Sequence, residues 1–257
     1  MDRFDDGSAG DADYGRIGHG YASVRRPDPR IEAAVWEALG DARSVLNVGA
    51  GAGSYEPYDR PVIAVEPSAA MRAERPAFRA PAIDATAEHL PFDDKSFDAA
   101  MASITIHQWP QLEAGLAEMR RVAQGPVVIL TFAPDIPEPW WQPEYVPEFF
   151  EVEGRRMPAL DRVARALGGE VDIRIVPVPA DCLDGFGQAF FARPELTLDP
   201  NVRRATSAWS FVEPDVVERY VRELSADLDS GAWDARWGHF RQLPEFDAGL
   251  RLVVAQP

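Results

Sequence analysis

Two residue types are nearly missing from this chain of 257 residues: one cysteine, Cys182, and one lysine, Lys95. A single thiol excludes an intramolecular disulfide and a cysteine-based zinc cluster. With four histidines in all, no metal site is expected. Long apolar runs are absent too. The longest uncharged one, Gly125–Pro134, is about half the length of a membrane span. The acidic, glycine- and alanine-containing start lacks the cationic and apolar stretches of a signal peptide. A soluble, cytoplasmic protein without a membrane partner is expected. Positive charge is also short, 26 Lys+Arg against 42 Asp+Glu, for a formal net charge of −16. Gripping DNA or RNA needs a cationic face that displaces phosphate counterions, so no nucleic-acid partner is expected.

What remains has the composition of a folded α/β protein, 46% hydrophobic and 26% charged. A helix is signalled after Asp28, which can cap it, with Pro29 in the first turn and Gly40 at the exit. Ile31, Ala34, Val35, Ala38 and Leu39 fall on one face at helical spacing. Short β-branched runs then occur at Ser44–Val48, Pro61–Val65, Phe97–Ile106 and Pro126–Phe132, with helical stretches between some of them. Later runs at Val171–Val178 and Leu250–Ala255 also read as strands, and Met157–Leu167 and Pro214–Leu228 as helices. Strands alternating with helices predict a parallel sheet covered on both faces. Two stretches fit the alternation poorly: proline-rich 134–150, with Trp140, Trp141 and Phe149, and glycine-containing 181–200, with Phe186, Phe190 and Phe191. Each reads either as a binding wall or as aromatic packing that anchors a peripheral helix.

The most informative stretch is SVLNVGAGAGSYE, Ser44–Glu56, in which an apolar strand runs into Gly49, Gly51 and Gly53. Alternate glycines let the backbone bend sharply and approach a ligand with no Cβ in the way. A dinucleotide fold wants G-x-G-x-x-G, and Ser54 stands where its third glycine belongs, which favours a cofactor without a pyrophosphate. Glu66 ends the next strand, VIAVEP, where a carboxylate can accept from both hydroxyls of a ribose. A solvated carboxylate at a strand terminus is the alternative.

With IDATAEHLPFDDKSFD at Ile83–Asp98 added, the sequence resembles the class I S-adenosylmethionine-dependent methyltransferases, in particular the small-molecule group of the type 11 kind. The resemblance also rests on VLNVGAGAGSYE, VIAVEPSAAM and the strand leading into IHQW, and spans roughly 14–134. It implies a Rossmann-like, mostly parallel seven-stranded sheet with helices on both faces and substrate-side insertions. Residues 1–27 would form a tail and cofactor lid, and 28–257 the methyltransferase domain, with 134–150 and 181–243 as substrate-binding elaborations. The cofactor implied is S-adenosylmethionine. Gly49, Gly51 and Gly53 would pass under its methionine part, and Ser103 would lie beside that part. Glu66 would hold the ribose, Met71 would lie against the adenine, and Asp84 with the Ala85 amide would pair with the adenine edge. Tyr21 and Arg25 resemble the family's Y-x-x-x-R, whose guanidinium would meet the cofactor carboxylate.

Asn47 departs from the family, which commonly carries Asp there. The function implied is methyl transfer to an N or O atom of a small-molecule metabolite. The alternative is a protein of this fold that binds the cofactor without methyl transfer, a pericyclase- or cyclase-like catalyst or a non-catalytic subunit. His107, in SITIHQW at the carboxyl edge of a strand, is the candidate catalytic base; its other reading is a residue that positions the loop. Cys182 reads as a small buried apolar side chain rather than a nucleophile.

Overall fold

The structure, a computed structural model, describes residues 5, 10, 12–13, 24–135 and 139–257. Helix α1 (Pro29–Leu39) starts where the Asp28 carboxylate accepts from the Arg30 amide and stops at Gly40, as its capping residues require. Strands β1 (Val45–Val48) and β2 (Val62–Val65) follow, then the short helix α2 (Ala69–Ala73), β3 (Ala99–Ser103), α3 (Leu112–Val122) and β4 (Val127–Phe132). The second half holds α4 (Gln142–Tyr145), α5 (Pro147–Arg156), α6 (Leu160–Leu167), β5 (Val171–Ile175) and β6 (Val178–Pro179). It continues with α7 (Pro200–Arg204), α8 (Pro214–Ser230), α9 (Ala232–Trp237), β7 (Glu245–Phe246) and β8 (Leu250–Ala255).

Six strands form the main sheet in the order β2-β1-β3-β4-β8-β5, and β8 runs antiparallel to both its neighbours. Successive side chains of a strand point to opposite faces, and both faces here are covered. Val45, Met101, Val128 and Leu252 pack on one side with α1. Leu46, Ala100, Ile129 and Val253 pack on the other against Leu116 and Met119 of α3 and Val163 and Leu167 of α6.

The expected seventh strand is reduced, among the described residues, to one parallel bridge between Val65 and Ile83. The Ile83 amide donates to Ala64 O at 2.8 Å, and the Glu66 amide donates to Ile83 O at 2.9 Å. Pro81 has no amide to extend the ladder on one side, and Asp84 turns toward Arg72 on the other. The run expected as one strand over Val171–Val178 is likewise split at Pro177. Its first part is the edge strand β5, and its second pairs with β7 in a separate two-stranded sheet.

The aromatic stretches enter the core. Trp141, Phe149, Phe186, Phe191 and Trp233 are all buried in the same cluster as α1. The Trp141 indole donates to Phe191 O at 2.7 Å and meets the Trp233 ring edge-on at 5.8 Å. Burying one such ring contributes up to about 3 kcal/mol, so these residues tie the later helices to the sheet.

Candidate active site

The sheet changes direction of winding at β1, whose neighbours are β2 on one side and β3 on the other. The crevice beyond the carboxyl ends of such strands is where open α/β sheets bind ligands. The glycine loop lies there. Gly49 has φ +66°, and a Cβ on it would collide with the Thr105 side chain, so a larger residue would have to displace Thr105. Gly53, at φ +93°, would bring a Cβ to 2.6 Å from Arg79 Cδ. Between them the loop borders a cleft of about 880 Å³, counting space open to solvent.

Of the residues anticipated from sequence, Arg25, Gly49, Gly51, Glu66, Met71 and Ser103 line this cleft. Gly53, Ala85 and Asp84 do not: Gly53 shapes the loop from behind, Ala85 packs into the core beneath, and Asp84 forms an ion pair with Arg72 at 3.2 Å. The wall expected from Asp84 and Ala85 is made by Thr86, Ala87 and Glu88. Tyr21 lies outside the described residues.

Glu66 is 7% exposed, and each of its carboxylate oxygens accepts one amide, from Gly51 and Ser68, at 2.8 Å. A carboxylate has about four acceptor positions, so capacity remains for a ligand diol. Burial pushes the Glu66 pKa above the ordinary carboxylate value, against the lowering pull of those amides.

Asn47, the departure from the family pattern, has a local cause. Its amide donates to Glu56 Oε1 at 3.0 Å, and Glu56 is 1% exposed and held by Arg75 and Arg79. An aspartate at 47 would face that carboxylate, whereas an amide can donate to it. Asn47 Oδ1 is buried and without a hydrogen-bond partner among the described residues, and Asn47 is one of the residues lining the cleft. Ser103 Oγ is in the same condition on the same wall. Buried polar atoms without partners are uncommon and mark places where a ligand group belongs.

Arg25 lines the cleft, yet its guanidinium is directed to Asp184, with Nε donating to Oδ1 at 2.6 Å. Tyr55, from the end of the glycine loop, donates its hydroxyl to Oδ2 of the same carboxylate at 2.7 Å. Burial and then the Asp184 charge push the Tyr55 pKa well above its ordinary value, so the phenol stays protonated and remains a donor. Asp184 thus ties the first half of the chain to residues 181–186. Sequence reasoning missed this, because 129 residues separate Tyr55 from Asp184.

His107 lies in a short 3-10 turn, Ile106–Gln108, and lines an adjoining cavity rather than the cleft itself. Ile104 borders both spaces. Its φ of +52° is an outlier for a β-branched residue, costing about 1–3 kcal/mol, and its amide donates to Leu130 O at 2.7 Å. Trp109, also missed as a wall residue, has room because residue 115 is glycine: a Cβ there would lie 2.6 Å from the indole. Cys182 is buried, and its thiol is pushed up to about 12 by burial, which leaves it inert.

A family profile described as a methyltransferase domain matches residues 46–129. A solved structure from Anabaena variabilis, assigned as a methyltransferase from an antibiotic biosynthesis pathway, is 31% identical. That match covers 90% of this chain and 98% of that one, with a TM-score of 0.84. The chain belongs to the class I S-adenosylmethionine-dependent methyltransferases. Two further likenesses concern the fold alone. The 4+2 cyclase SpnF is 15% identical over 95% of this chain and 92% of that one, with a TM-score of 0.55. A Thermotoga maritima protein described as a SAM-dependent methyltransferase is 16% identical over 95% and 96%, with a TM-score of 0.53. No curated protein matches the chain. Among the described residues, no helix is long and apolar enough to cross a membrane.

Proposed function

We propose that the chain binds S-adenosylmethionine in the cleft beyond β1 and transfers its methyl group to an N or O atom of a small-molecule metabolite. The observation that carries this reading is the pair of unpartnered buried atoms, Asn47 Oδ1 and Ser103 Oγ, on the wall that also carries the Glu66 carboxylate. When bound, S-adenosylmethionine supplies an electrophilic methyl carbon whose bonding pair returns to sulfur as the acceptor's lone pair takes the methyl. Glu66 would accept from the ribose hydroxyls. Asn47 and Ser103 would offer polar atoms to the amino-acid end, and Met71 and Trp109 apolar surface to the adenine. Arg25, reaching the cleft from the N-terminal segment, would hold that segment over the site through Asp184. His107, in the adjoining cavity, would take the proton released when a hydroxyl or ammonium acceptor is methylated. The net charge of −16 favours a small acceptor over nucleic acid. The Anabaena relative, assigned to antibiotic biosynthesis, supports an acceptor from specialised metabolism.

Calorimetry with S-adenosylmethionine and S-adenosylhomocysteine tests the reading. The wild type should bind both, and Glu66→Ala should weaken binding about a hundredfold, the worth of two charge-assisted hydrogen bonds. Asp84→Ala, altering a residue outside the cleft lining, should change it far less. Absence of wild-type binding would sink the proposal. Methyl-labelled cofactor separates the alternative: a cofactor-dependent product without label means catalysis without transfer.

A further inference from the structure

The main sheet ends at β5, which pairs with β8 along one side and, among the described residues, with no strand along the other. On the paired side the Val176 amide donates to Leu250 O at 3.0 Å, and Glu170 O accepts from the Gln256 amide at 2.9 Å. Backbone groups alternate in direction along a strand, so those of residues 170, 172, 174 and 176 face β8. The amides and carbonyls of Val171, Ile173 and Ile175 therefore face the open edge. Such edges template pairing with another chain, and are usually blunted by proline, a bulge or repelling charge. Within Val171–Ile175 there is no proline, and the register with β8 is unbroken. Its two charges, Asp172 and Arg174, pair with each other at 2.7 Å and offer no net repulsion. Its large apolar side chains stand in solvent, with Ile173 39% exposed and Ile175 56%.

The order of these residues is complementary to itself. Val171, Ile173 and Ile175 lie on one face of the strand, and Asp172 and Arg174 on the other. An antiparallel copy of β5, placed about a twofold axis at Ile173, sets Ile173 opposite Ile173 of the second copy. Val171 then meets Ile175 of that copy, and each of these pairs exchanges both of its outward hydrogen bonds. The apolar side chains of the two strands form one continuous row. On the opposite face Asp172 meets Arg174 of the second copy, and Arg174 meets its Asp172, as favourable cross-strand pairs. Moving the axis to residue 172 would set Asp172 against Asp172, and moving it to 174 would set Arg174 against Arg174. Hydrogen bonding, apolar contact and charge thus select the same register and the same occupant.

We propose that β5 is a self-association edge, pairing antiparallel with β5 of a second copy about a twofold axis at Ile173 and joining two main sheets into one. This surface is separate from the cofactor cleft, and the proposal does not depend on the cofactor reading.

The test is sedimentation velocity of the full chain over a range of concentrations. The wild type should pass from monomer to dimer at about 10–100 µM, as suits a small interface. Ile173→Lys sets two ammonium groups against each other at the axis and should weaken association at least about tenfold. Asp172→Arg sets like charges opposite each other twice and should weaken it by a similar factor. The double variant Asp172→Arg/Arg174→Asp restores opposite charges in this register and should return to within about twofold of wild type. Circular dichroism and urea unfolding report the folding of each variant. In the wild type, hydrogen exchange at the Val171, Ile173 and Ile175 amides should slow as the dimer forms. A wild type that stays monomeric to about 300 µM, ten times the middle of the expected range, would leave the edge to another occupant and overturn the proposal. A dimer that folded Ile173→Lys leaves intact, or in which those amides exchange as in the monomer, would place the interface elsewhere and overturn it too. A double variant no better than Asp172→Arg alone would overturn the register.

Discussion

The two halves of this protein solve opposite problems. Around β1, β2 and β3 the chain keeps polar groups available: a buried carboxylate with lone pairs to spare, two unpartnered oxygens and a loop of glycines bordering open space. From Trp140 onward it does the reverse, closing space with rings that meet edge to face and with paired charges. The first arrangement is built for a ligand carrying its own hydrogen-bonding groups. The second builds a shell whose remaining hollows are small. Stability should therefore reside in the second half, and cofactor affinity in the first.

The most severe way to break that comparison is Trp141→Ala. The indole is fully buried, touches Trp140, Tyr145 and Trp233, and donates to Phe191 O. Its removal leaves a cavity and an unpartnered carbonyl, costing about 3–5 kcal/mol by urea unfolding. Where the variant remains folded at low denaturant, it should bind S-adenosylhomocysteine within about twofold of wild type. A large loss of affinity in that folded fraction would show that the two halves are not separable.

Next in size is a pH effect at Glu66. Burial raises its pKa, and ribose hydroxyls donating to the carboxylate would favour the charged form. Ligand binding should then lower that pKa. Affinity is full above the pKa of the free protein and falls as pH drops through it. Glu66→Gln, with nothing to titrate there, should bind more weakly at neutral pH and lose this part of the dependence. Calorimetry with S-adenosylhomocysteine between pH 7 and pH 5 on both proteins checks it. Parallel pH curves for the two would place the titration elsewhere.

Legibility in the sequence follows the same division. Local signals were sufficient for α1, because capping by Asp28 and termination at Gly40 act within one helix. They also sufficed for the glycine loop and Glu66, which lie close in sequence and on adjacent strands. Boundaries failed where one residue redirects the backbone: Ile104 ends β3 early, and Pro177 divides the later strand. His107, expected at the carboxyl edge of the strand, lies just past the turn at Ile104 and lines the cavity that adjoins the cleft. Asp184 could not be foreseen as the partner of both Arg25 and Tyr55, since that contact exists only once the second half has folded against the first. The aromatic stretches were readable as apolar, but a composition of tryptophan, phenylalanine and proline does not distinguish a binding wall from a core.

The smallest effect sharpens the comparison within the first half. Asn47→Asp restores the residue common in the family and changes an amide into a carboxylate at nearly constant volume. The new carboxylate stands about where the amide now donates, 3.0 Å from Glu56 Oε1, in a buried site. Two like charges at that distance raise the folded-state pKa of one carboxyl above its unfolded value. The penalty is therefore full above the raised pKa and disappears as pH falls below the unfolded value. Arg75 and Arg79 already bond Glu56 and offset part of the repulsion, so the loss should be about 1–2 kcal/mol, near one pKa unit. Urea unfolding should show Asn47→Asp less stable than wild type at pH 7 and closer to it at pH 4.5. The double variant Asn47→Asp/Glu56→Gln should recover part of the loss at pH 7 by removing the repulsion. A single variant as stable as wild type at pH 7 would mean that the two arginines accommodate both carboxylates, and that Asn47 is not explained by Glu56.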